Sequence, residues 1–82
     1  MATIQITFTN GTDSSRAWVI WDTGIDPNAP KQLFADYLDA GASTSALALY
    51  SDGTYGQAAY QRSDGPLQNV SDITDGSNVS ME

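Results

Sequence analysis

A hydroxyl residue, an aspartate and a glycine stand together three times in the second half of this chain: Ser51-Asp52-Gly53, Ser63-Asp64-Gly65 and Thr74-Asp75-Gly76. Asp-Gly is a strong turn signal. Glycine adopts positive φ at no steric cost, and aspartate folds its carboxylate back onto the local backbone. The intervals of twelve and then eleven residues leave room for one strand between turns. The triplets therefore punctuate a chain of hairpins. They are not repeated sites, because no other ligand type recurs in register with them.

Residue patterns between the turns support strands. Thr3 to Thr9 alternates strictly, with Ile4, Ile6 and Phe8 on one face and Thr3, Gln5, Thr7 and Thr9 on the other. Asn10-Gly11 follows and reads as a hairpin turn. In Ala17 to Trp21, Ala17, Val19 and Trp21 share one face and Trp18 and Ile20 the other. Both faces are apolar, so this strand is central or has its second face covered. Asp22 to Pro30 is a loop. Lys31 to Asp39 suits either a strand or a short helix: Leu33, Phe34, Tyr37 and Leu38 fall on one helical side, yet Asp36 and Asp39 would oppose the helix dipole at its end. Thr44 to Tyr50, Tyr55 to Arg62 and Leu67 to Ile73 read as further strands, with Gly56 suited to a bulge. Asn78 to Glu82 is a short tail.

The expected architecture is one all-β domain over residues 1–82. It is a small antiparallel sandwich or open barrel of five to six strands built from hairpins, with a short helix near 31–39 as the alternative. The expected core draws on Ile4, Ile6, Phe8, Val19, Ile20, one tryptophan, Leu33, Leu38, Leu47, Leu49, Tyr60 and Val70. Many strand positions carry Ala or Gly and bury little area, so a homodimer that completes the core is expected as an option.

Charge and missing residue types narrow the function. The chain has no cysteine and no histidine, which excludes disulfides and leaves no usual ligand for a structural zinc. The net charge of −7, with Arg16, Lys31 and Arg62 as its only basic side chains, argues against nucleic acid and anionic membranes as partners. No stretch is apolar enough to insert in a bilayer, and no basic segment followed by an apolar one opens the chain. A cytoplasmic location is the default expectation.

Three constellations could carry chemistry. Val19-Ile20-Trp21-Asp22-Thr23-Gly24, with Asp26 beyond it, resembles the catalytic motif of the aspartic proteases. That resemblance implies a dimer in which two copies of Asp22 share a proton. The segment is short, no flap sequence follows it, and Asp-Thr-Gly is equally good turn chemistry. Oxygen-rich loops offer a second option, a calcium site at Asp22, Asp26 and Asn28, with Asp72, Asp75 and Asn78 as another cluster. The third is an aromatic and acidic face. Trp18 and Trp21 lie on opposite faces of one strand, so one should point outward. Together with Asp22, Asp26, Tyr55 and Gln57, and with Gln61 on the same strand as Gln57, it could stack and hydrogen-bond a sugar.

The leading expectation is a non-catalytic, lectin-like binding module for a glycan or a protein surface. The alternative is a structural or interaction protein, such as an inhibitor, immunity or assembly subunit with an apolar interface. The aspartic protease is the outsider.

Overall fold

Threonine-rich alternation makes β1 (Ala2–Asn10) a strand that buries every second residue, Ile6, Phe8 and Asn10. The computed structural model describes residues 2–26 and 28–82. Six more strands follow: β2 (Arg16–Asp22), β3 (Lys31–Leu38), β4 (Leu47–Ser51), β5 (Gly56–Arg62), β6 (Leu67–Ile73) and β7 (Asn78–Met81). The tail is thus a seventh strand, and Lys31–Leu38 is a strand rather than a helix. Among the described residues no helix is long and apolar enough to cross a membrane.

The strands form one mixed sheet in the order β3-β2-β5-β4-β1-β7, with β6 on the other edge of β5. All pairs are antiparallel except β1 with β7. The sheet bends where β5 changes partner. β4 meets β5 at a single pair, Ser51 with Gly56, whereas from Ala58 to Arg62 β5 runs along β2. Gly56 is required at that crowded point: a Cβ there would stand 2.6 Å from Leu49 Cδ2 and 3.0 Å from the Tyr50 carbonyl oxygen. The bulge expected at Gly56 is present in the β5–β6 register. The extra residue falls on β6, where Asp72 takes a φ of 58°.

Bending brings β6-β5-β2-β3 over β4-β1-β7, and all seven strands point residues into one interior. Ile6 and Phe8 from β1 and Leu49 from β4 face Trp18 and Ile20 from β2 and Tyr60 from β5. The shortest dimension is 17 Å, room for two layers about 10 Å apart and no third. The expected core is mostly found, but Val19 faces outward and Ile73 and Met81 join the interior.

Two turn expectations need correction. Asn10-Gly11 closes no hairpin, because β1 pairs with β4 and β7 while β2 pairs with β3 and β5. The Asn10 side chain is instead fully buried and knots the crossover. Its Nδ2 donates to the Ser14 and Leu38 carbonyls, and its Oδ1 accepts from Thr12 N and Thr12 Oγ1. Gly11 is small because β7 passes close by: a Cβ would lie 2.8 Å from the Met81 carbonyl oxygen. Thr74-Asp75-Gly76 likewise leads not into a hairpin but across to β1, where the Asp75 carboxylate accepts from Gln5 N at 2.8 Å. The other two triplets do close the β4–β5 and β5–β6 hairpins.

Because the buried Asn10 side chain bonds both the Thr12–Ser14 connection and Leu38 of β3, Asn10→Ala should lower unfolding stability by about 2–3 kcal/mol in urea titration. A loss under about 0.5 kcal/mol, the size expected for a surface change, would contradict this role.

Candidate functional site

Period-two geometry separates the two tryptophans of β2. Trp18 shares the inner face with Ile20, is 0 % exposed, and packs against the Tyr60 ring at a centroid distance of 5.8 Å. Trp18 is therefore a core residue, which corrects its assignment to a ligand face. Trp21 stands on the outer face and is only half-buried.

Register then determines Trp21's neighbours. Residues paired across antiparallel strands share a face. Trp21 pairs with Ala59 of β5, and Ala59 with Asn69 of β6. In the next row Val19 pairs with Gln61, and Gln61 with Leu67. Thr23 and Pro30 close the end from the loop between β2 and β3. The result is a groove of about 320 Å³ lined by Trp21, Thr23, Pro30, Ala59, Gln61, Leu67 and Asn69. Ala59 has no bulk beyond Cβ, so it forms a floor beside the indole. Gln61 is held in place by a bond from Nε2 to the Gly65 carbonyl at 3.1 Å, an interaction that leaves its Oε1 able to accept. Leu67 is 49 % exposed and forms an apolar wall.

The acidic part of the expected site lies elsewhere. Asp22 is 2 % exposed, and its carboxylate is engaged on both oxygens: Oδ1 accepts from Gly24 N at 3.0 Å and Oδ2 from Tyr50 N at 2.9 Å. It ties the end of β2 to β4 beside the sheet's bend. Burial and these two bonds place Asp22 inside the fold rather than on the groove. Asp26 is exposed and accepts from Asn28 N at 2.9 Å, an ordinary Asx turn. Tyr55 and Gln57 are exposed near the β4–β5 turn and do not line the groove. Among the described residues no three carboxylates gather to hold a cation.

Two of the three turn aspartates, Asp52 and Asp75, are also committed to backbone. Asp52 accepts from Thr54 N and Tyr55 N, and those two bonds, the Tyr55 one foremost, hold its carboxyl below the ordinary value of 3.8. In the other oxygen-rich cluster, the Asn78 amide donates to Thr7 and Thr9. Of the residues that line the groove, Trp21 and Gln61 are among those the sequence singles out, and Thr23, Pro30, Ala59, Leu67 and Asn69 are not. Only the pairing of β2 with β5 and of β5 with β6 brings these together, and nothing within one strand announces its neighbour.

Removing the buried Asp22 carboxylate orphans the N–H groups of Gly24 and Tyr50. Asp22→Ala should therefore cost about 2–3 kcal/mol in chemical denaturation. A variant as stable as the parent would return Asp22 to the list of groups kept for chemistry. No protein-family model matches the chain, no curated protein matches its sequence, and no solved structure matches its fold.

Proposed function

We propose that this protein is a non-catalytic binding module whose ligand is a glycan seated in the groove at Trp21. The observation that carries this reading is the company Trp21 keeps. A partly buried indole stands beside the apolar walls of Leu67 and Pro30, with the neutral hydrogen-bonding groups of Gln61, Asn69 and Thr23 close by. A sugar ring has the matching surface. Its C–H face stacks on an aromatic ring, and its hydroxyls need short polar groups at the rim. Such a groove requires no residue that activates water or attacks a bond.

A protein partner is the second reading, and one observation favours it. Tyr37 is 71 % exposed, and its pairing with Ala17, like that of Ala35 with Val19, extends the outer face beyond the groove as a strip of small and aromatic residues. Exposed apolar strips of this kind mark interfaces when they are contiguous.

A glycan array separates the two. Trp21→Ala should weaken binding to the array hits by at least about tenfold, since aromatic anchors carry most of a site's affinity. It should do so while keeping the parent's β-sheet circular dichroism. Tyr37→Ala should leave glycan binding unchanged. An array without hits, together with a pull-down lost in Tyr37→Ala, would move the function to protein recognition.

A further inference from the structure

Resting on the groove assignment above, we infer that the ligand is an uncharged saccharide and that the chain discriminates against acidic sugars. No side chain of the groove ionises. A carboxylate or sulfate placed there would give up hydration and meet only amides, a hydroxyl and apolar walls.

The cations of the chain do not change this. Asp64 engages two of them, with Arg62 Nε at 2.6 Å and Arg16 Nη1 at 3.4 Å. The third, Lys31, follows Pro30 in the chain but is not part of the lining. Around the groove stands a molecule of net charge −7, whose field repels anions over roughly a Debye length, about 10 Å at 0.1 M salt.

An uncharged sugar meets none of these costs. Each of its hydroxyls is both donor and acceptor. The groove offers both kinds of partner: the free Oε1 of Gln61 accepts, the Asn69 amide does both, and the Thr23 hydroxyl does both. Stacking on Trp21 depends on the ring's C–H face and not on charge.

The test compares each array hit with an acidic form of the same backbone, uronic or sulfated, by calorimetry with the intact chain at low ionic strength. The acidic form should bind at least about tenfold more weakly, and the gap should narrow as salt rises. Lys31→Gln should leave affinity for the neutral form unchanged, since Lys31 does not line the groove. An acidic form that binds as tightly as the neutral one, or more tightly, would overturn this inference and leave the groove assignment standing. Failure of both classes to bind would overturn the groove assignment and this inference together.

Discussion

The Asp22 carboxylate holds the fold at its weakest joint. The seven strands form one sheet only because β5 touches β4 at a single pair before turning along β2. Backbone bonding is sparse at such a bend. Asp22 supplies what is missing, accepting from Tyr50 on β4 and from Gly24 just beyond β2. Gly56 provides the space for the same bend, where a side chain would strike Leu49. A buried carboxylate is tolerated because both oxygens meet N–H groups. Asp22 is thus a strut between β2 and β4, and Trp21 lies on the opposite face of β2.

That opposite side follows from the joint. Once β5 lies along β2 and β6 along β5, their registers align Trp21, Ala59 and Asn69 in one row, and Val19, Gln61 and Leu67 in the next. The groove is thus a property of three strands in register. Its rigid parts sit on strands, where side-chain positions are well determined. Only Thr23 and Pro30 come from a connecting segment.

Local pattern made the strands legible from sequence, and long-range pairing remained hidden. Alternation in Thr3–Thr9 and the Asp-Gly turns point to the all-β class and to the β4–β5 and β5–β6 hairpins. The opposing faces of Trp18 and Trp21 were also readable, including that one ring would be buried. Asn10-Gly11 misled because the same dipeptide serves a turn or, as here, a buried amide cross-link and a close backbone approach. Asp75-Gly76 misled because a turn signal does not say which strand the chain joins next, and a parallel partner leaves no local mark. Lys31–Leu38 was ambiguous because an exposed edge strand carries little alternation. Asp22 stands in a recognisable motif, whereas Asn69 and Leu67 lie in a weakly patterned strand with no local mark.

On the proposed function β2 divides its labour, with Trp18 packing the core and Trp21 meeting the ligand. The two indole N–H signals in a nitrogen–proton NMR spectrum report on each ring separately. As the tightest-binding oligosaccharide is titrated in, the Trp21 signal should shift together with the side-chain amides of Gln61 and Asn69, while the Trp18 signal stays still and exchanges slowly with solvent. A shift at Trp18, or one confined to the loop from Asp22 to Asn28 with Trp21 unmoved, would contradict that division.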